Sequence, residues 1–285
     1  PEVIRPALAD QRGDAMFIST PCGKNNYFYD LFNLAKTTPG WNSWSMTTLE
    51  AGMVDPAEIE AARAEMTLSQ FKQEFEASFE DVGNRVAYSF DREHNVKTYE
   101  GPKPKETLIG VDFNRNPISA TVGHRSGDEF YVTDEILIYS SNTDELVQEI
   151  HHRYPNQKVY VFPDPSGSRQ QTSSSGKSDH TILSNAGCQV RAPRKHDPVK
   201  DRINAINARF CNSDGVRRLY VDPKCKHTIE SLEKHSYKPG TVIPDKDKGH
   251  DHVFDALSYC IAYLYPIRRP APEPTAQSWS AKVSL

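Results

Sequence analysis

Long apolar runs are missing from this chain of 285 residues. No stretch nears the ~18 residues that span a bilayer, and no charged-then-apolar signal segment opens the chain, so no membrane association is expected. Cysteine is scarce and scattered. The five residues (Cys22, Cys188, Cys211, Cys225 and Cys260) form no Cys-x-x-Cys pair, which argues against a disulfide framework and fits reduced thiols. Cys225-x-His227 followed by His235 lacks the paired-knuckle spacing of a zinc site. A true phosphate-binding loop is missing too. Gln171-Thr-Ser-Ser-Ser-Gly-Lys-Ser178 ends as such loops do, but Gln171 stands where the pattern needs glycine, and no strand leads into it. No zinc finger or RNA-recognition aromatic motif supports base-specific readout.

Net positive charge is absent as well: the formal charge is −4. The distribution matters more than the sum. Between Cys188 and Lys238 stand twelve Lys/Arg against six Asp/Glu, and between Glu50 and Glu106 thirteen Asp/Glu against seven Lys/Arg. The basic stretch contains Arg191, Arg194, Lys195, Lys200 and Arg202, which are expected to neutralise phosphates along a duplex without reading bases. Lys177, in the serine-rich loop, is a further candidate phosphate contact. Solvated helix faces account for the same charges without any partner.

What the chain does have is acidic residues set in apolar stretches. Asp112 ends Leu108-Ile-Gly-Val-Asp112, and Asp164 ends Val159-Tyr-Val-Phe-Pro-Asp164. Apolar runs of that kind read as buried strands. Asp255 lies in His250-Asp-His-Val-Phe-Asp-Ala-Leu-Ser-Tyr-Cys260, which has helical spacing. Ionised carboxylates are not left at the ends of buried strands without a partner, because desolvation costs several kcal/mol per ion. Three together call for divalent cations. Asp251 shares a helix face with Asp255, and as a first-turn acid it is also favoured by the helix dipole alone. His252 is a possible supporting ligand or proton carrier, or a surface histidine. Taken singly, Asp112 and Asp164 also read as turn caps.

Along the chain, three elements are expected before the acidic helices: a strand over 14–21, an aromatic-rich helix over 25–35 and a strand over 41–49. Asp55-Pro-Ala-Glu58 opens a helix with an N-cap and a proline at N1, and a second helix follows over 69–77. A lone strand pair makes a poor independent unit, so residues 1–83 read as the end of something larger. A linker is expected over 84–106. From Thr107 three consecutive strands (107–113, 118–124 and 129–138) precede helices alternating with strands at 158–162 and 218–221. The helices fall at 143–154, 179–185, 199–210, 225–234 and 250–263. This order predicts an α/β fold over 107–266, an RNase H-like mixed central sheet flanked by helices. A proline-rich polar tail over 267–285 is expected to be disordered. Two strand-end carboxylates plus a late helical one is how such nucleases hold two magnesium or manganese ions, about 4 Å apart, for phosphodiester hydrolysis.

These residues carry a resemblance to a known family. Phe17-Ile-Ser-Thr-Pro-Cys-Gly-Lys-Asn-Asn-Tyr-Phe-Tyr-Asp-Leu-Phe32 is similar to the late ATPase segment of the large terminase subunit of tailed bacteriophages. Gly110-Val-Asp112, the strand ending at Asp164 and His250-Asp-His-Val-Phe-Asp-Ala-Leu-Ser-Tyr259 resemble the three acidic motifs of its nuclease domain. The resemblance covers roughly residues 14–265. It implies that Asp112, Asp164 and Asp255 bind metal, with Asp251 or His252 in support, and that Ser19, Thr20 and Pro21 are the remnant of an ATPase coupling element. It also implies concatemeric double-stranded DNA as substrate, a small terminase subunit and a portal protein as partners, and the host cytoplasm, transiently at a procapsid, as location. Without a Walker A loop or a visible Walker B acid, this chain alone is not expected to hydrolyse ATP. The rival readings are a resolvase- or transposase-like enzyme of the same fold and a non-catalytic DNA-docking module.

Overall fold

The computed structural model describes residues 14–21, 26–36, 38–79, 83–114, 116–168, 177–193, 195, 197–239 and 241–267. Five helices come first: α1 (Tyr27–Leu34), α2 (Thr48–Ala51), α3 (Pro56–Glu65), α4 (Leu68–Phe75) and α5 (Arg92–Asn95). Asp55 caps α3 as its sequence predicts, accepting the Ala57 N–H at 2.8 Å. The two strands expected at 14–21 and 41–49 do not form. Residues 14–21 and 41–47 are irregular and mostly exposed. A Thr47–Glu50 capping box then turns the chain into α2, with Thr47 Oγ1 accepting the Glu50 N–H and Glu50 Oε2 accepting the Thr47 N–H. Alternation without a neighbouring strand leaves the backbone unpaired, so local capping wins.

Every strand among the described residues lies beyond residue 105. They are β1 (Glu106–Asp112), β2 (Ile118–Ser126), β3 (Glu129–Ile138), β4 (Lys158–Pro163), β5 (Gln189–Val190) and β6 (Leu219–Val221), in one sheet ordered β5-β4-β1-β2-β3-β6. β1, β2 and β3 pair antiparallel, while β4 joins β1, β5 joins β4 and β6 joins β3 in parallel. The two-residue β5 was not expected, since its length carries no periodicity. Between and after the strands come α6 (Thr143–Arg153), α7 (Asp179–Asn185), α8 (Val199–Phe210), α9 (Lys226–Lys234) and α10 (Asp251–Leu264).

Both faces of the sheet are covered, which explains why β1 reads as a continuous apolar run rather than an alternating one. On one face Ile109, Val111, Ala120, Val122 and Ile136 pack with Leu146 and Ile150 of α6 and Leu183 of α7. Leu146 and Ile150 are four apart on one helical stripe and fully buried, each contributing about 1.5–3 kcal/mol. On the other face Leu108, Phe130 and Phe162 pack with α8, α9 and α10. Residues 84–106, expected as a linker, supply Val86, Ala87 and Phe90 to this second core. Asn207 of α8 ties them in. Its Oδ1 accepts the Ser89 N–H at 2.8 Å, and its amide donates to the carbonyls of Val86 and Ile203 at 2.9 Å each. No helix among the described residues is long and apolar enough to cross a membrane.

Candidate active site

Strand geometry sets the first two carboxylates side by side. Successive side chains alternate between faces, so Leu108, Gly110 and Asp112 of β1 point toward α10. Parallel pairing aligns Gly110 with Phe162 and Val111 with Pro163 of β4. The ladder continues one step further, as the Asp164 N–H donates to the Val111 carbonyl at 3.0 Å. Asp164 also closes its own turn, with Oδ1 accepting the Ser166 N–H at 2.8 Å and its carbonyl accepting from His180 Nε2 at 2.9 Å. Turn-forming and carboxylate presentation thus coexist in one residue. The helix brings the rest. Gly110 has no side chain, so α10 crosses β1 closely at Ala256. Asp251 and Asp255, one turn apart, are 2% and 8% exposed, and His252 Nδ1 meets Asp112 Oδ2 at 3.0 Å. With that proton on Nδ1, Nε2 accepts from Asn114 Nδ2 at 2.8 Å.

Two cations from elsewhere in the chain meet these acids. Arg202 Nη1 donates to Asp255 Oδ1 at 3.1 Å and also to Ser258 Oγ, while its guanidinium lies over the Tyr259 ring. Arg202 is 7% exposed. This departs from the expectation of a phosphate contact on an open helix face: α8 turns Arg202 inward, because a buried carboxylate on α10 needs a partner there. Lys246 Nζ reaches Asp255 Oδ2 at 3.0 Å and Asp251 Oδ2 at 3.7 Å. Replacing Arg202 by methionine leaves Asp255 buried without its fixed partner. The expected cost is about 3 kcal/mol, read by urea unfolding at neutral pH in the presence of chelator. A loss indistinguishable from that of an exposed Lys200→Met control would show that the pair is not essential.

Burial pushes the Asp112 carboxyl up from its ordinary value, and the charges of Asp255 and Asp164 add to the rise despite the pull of His252. The hydrogen bond to Asp112 raises His252 above the ordinary histidine value against its own desolvation, and Asp251 raises it further. Burial pulls the Lys246 ammonium down, but the Asp255 and Asp251 carboxylates outweigh it and hold it above the usual lysine value. Asp251 Oδ1 is buried and accepts no hydrogen bond, and the His252 ring lies 3.8 Å from it.

As placed, no three His, Cys, Asp or Glu side chains among the described residues lie within common metal-ligand range. Asp251 and Asp255 are drawn onto Lys246 instead. The donor set nonetheless fits a hard divalent cation. All four carboxylates offer oxygen, the preferred ligand of magnesium and manganese. Asp251 Oδ1, left without a donor, and the Asp112 carboxyl, raised mainly by burial, are both places where a divalent cation would add favourable charge.

Residues 109–264 match the family described as the Terminase RNaseH-like domain. The chain belongs to that family. The large terminase subunit of Escherichia phage T5 is 28% identical over 279 residues, covering 90% of this chain and 60% of that protein. The chain thus spans somewhat under two thirds of its curated relative. The large terminase of a thermophilic bacteriophage superposes with a TM-score of 0.63 at 16% identity, covering 92% of this chain and 66% of that one. The P22 large terminase nuclease domain superposes with a TM-score of 0.50 at 16% identity, covering 65% of this chain and 95% of that one. The mixed sheet and its flanking helices are therefore the RNase H-like fold of terminases, and the segment before it runs with the large terminase chains.

The other described candidate residues of this terminase fold lie mostly at the surface. Lys177, Arg191 and Lys195 are exposed, and Arg191 lies over the Tyr160 ring at 5.7 Å. Lys200 is exposed and pairs with Glu74 at 3.1 Å. Arg194 and most of the serine-rich loop lie outside the described residues. Ser19 and Thr20 are exposed in the irregular stretch, and Pro21 is buried. Reading the sequence did not single out Asn114 or Lys246. Asn114 sits in the turn right after Asp112, where a polar residue reads equally as turn chemistry. Lys246 comes from a loop between two helices and carries no spacing signal at all.

Proposed function

We propose that this chain is the nuclease part of a viral DNA-packaging terminase, a metal-dependent endonuclease that cuts concatemeric double-stranded DNA with little sequence preference. What supports this reading is that Asp112 and Asp164 stand at adjacent parallel strand ends, on the face of the RNase H-like sheet that α10 with Asp251 and Asp255 covers, and that the charges of Asp255 and Asp164 are felt at Asp112. These four carboxylates would hold the metal, magnesium or manganese, with two ions as the expected number. When bound there, the ions supply charge neutralisation at a phosphodiester and a lowered pKa for water.

The chain's own groups prepare that chemistry. His252 holds a proton at Nδ1 against Asp112 Oδ2 and so orients the carboxylate. Asn114 fixes the other side of the ring. Arg202 anchors Asp255 through Oδ1. The exposed Lys177, Arg191, Lys195 and Lys200 offer phosphate contacts without base readout, which supports cutting that is largely sequence-independent. The small terminase subunit and the portal protein are the partners expected of a packaging motor, and the host cytoplasm, transiently at a procapsid, is its place of action. ATP hydrolysis is not expected from this chain alone.

The test is a supercoiled-plasmid assay with magnesium, manganese or chelator, run with the chain and with Asp164→Asn. Nicked or linear product that needs the metal and falls at least about a hundredfold in the variant is the expected result. Duplex binding without any cutting in manganese would move the reading to a docking module. Joined strands would move it to a transposase-like enzyme, and a strong preference for branched DNA to a resolvase.

A further inference from the structure

Asp255 carries a cation on each of its oxygens, and the two are unlike. Arg202 meets Oδ1 with a side chain 8% exposed, and it is held again by Ser258 and by the Tyr259 ring. Lys246 meets Oδ2 with a side chain 60% exposed, and among the described residues its ammonium contacts only Asp255 and Asp251. The base of the Lys246 loop is pinned: the Asp245 N–H donates to the Ser236 carbonyl at 2.8 Å, and Asp245 Oδ1 accepts the Asp247 N–H at 3.1 Å. The stem beyond that base is open to solvent. Pulling a buried guanidinium away strands a charge, whereas an exposed ammonium on a flexible four-carbon stem leaves for water easily.

We infer that Lys246 is the exchangeable counter-ion of this acidic centre: it holds Asp251 and Asp255 while no divalent cation is bound, and a divalent cation displaces it to reach the same oxygens. The inference rests on the metal-dependent reading above and says which protein group competes with the metal. Two cations that exclude each other from the same carboxylates are negatively coupled, and the coupling is reciprocal. Lys246 therefore lowers the apparent metal affinity and stabilises the metal-free fold. Arg202, held by Ser258 and Tyr259 as well, would stay on Oδ1 in both states, leaving Oδ2 as the Asp255 oxygen that a metal would take.

The test measures Mn2+ binding by the loss of free-ion signal in electron paramagnetic resonance, and the melting temperature in chelator and in Mn2+. The proteins are the full chain, Lys246→Met, and Lys248→Met as control. Lys248 pairs with Asp245 at 3.5 Å and touches neither acid. Lys246→Met is expected to bind Mn2+ at least about fivefold tighter, to melt lower in chelator and to gain more from Mn2+ than the parent. Lys248→Met is expected to match the parent. If Lys246→Met does not fold, Lys246→Gln is read in the same way. Mn2+ binding by the parent with no gain in the Lys246 variant overturns the exchange alone, as does an equal gain in the Lys248 variant. No Mn2+ binding by either parent or variant overturns the metal reading and the exchange together.

Discussion

A Gly110→Ala chain is expected to lose at least about 4 kcal/mol of stability, beyond the 1–3 kcal/mol typical of an overpacked core. The backbone at Gly110 is ordinary strand, so alanine meets no conformational strain there. The obstacle is α10. A Cβ at Gly110 would stand 2.9 Å from the carbonyl carbon of Ala256 and closer still to its oxygen, with the Cys260 Cβ at 3.1 Å. Two of those three atoms are main chain, so trimming Cys260 to glycine gives no rescue. The whole helix must lift off β1, which exposes Phe254, Leu257 and Ile261 to the gap and parts Asp112 from His252. Urea unfolding followed by circular dichroism measures the loss, and the plasmid assay should show activity falling with it. A midpoint unchanged from the parent would mean that the helix does not lie against the strand at this distance.

Asp112→Asn should do the reverse, keeping the fold and removing the chemistry. Asparagine fills the same space, and its carbonyl oxygen can still accept from His252 Nδ1. It offers no anionic oxygen to a metal, so cutting is expected to fall by about a thousandfold or more. Stability should move the other way, and the sign follows from the raised carboxyl of Asp112. A group raised by folding has its most favourable effect below its unfolded value, where both states are protonated. That benefit is lost as pH rises through the folded value. At neutral pH the folded, metal-free parent therefore bears an unfavourable charge that the variant lacks. Asp112→Asn should melt higher than the parent in chelator at pH 7, with the difference closing as pH falls below the ordinary aspartate range. For the same reason, cutting by the parent should fade on acidification at a pH above that range. A variant that melts lower at pH 7 would show that the His252 contact outweighs the desolvation of Asp112. The His252 ring offers a separate readout: removing the carboxylate that most raises it should lower its titration midpoint by NMR.

The sheet was legible from the sequence because burial on both faces writes an unmistakable apolar run, and β3 matches its expected bounds while β1, β2 and β4 fall within two residues of theirs. The acids were legible for the opposite reason, since a charge at the end of such a run is out of place without a role. What the sequence hid is non-local. Of the twelve basic residues between Cys188 and Lys238, nothing in the spacing distinguishes Arg202, turned inward onto Asp255, from Lys200, two positions earlier and exposed. Lys246 is equally silent, because its partners lie five and nine positions later on a helix whose approach is set by Gly110. The strands expected near residues 14 and 41 failed for a related cause. Alternation proposes a strand, but only a neighbour makes one, and Thr47 and Glu50 offered the backbone a local alternative.

Val86, Ala87 and Phe90 have a practical consequence for anyone seeking the smallest stable fragment of this RNase H-like domain. The sheet starts at Glu106, yet a fragment trimmed to that point would leave the Asn207 amide without the Val86 carbonyl and the Ser89 N–H. It would also open an apolar hole beside Phe210, whose ring packs edge-on against Phe90 at 5.1 Å. A minimal RNase H-like fragment that folds should begin before Asn84, some twenty residues ahead of its first strand.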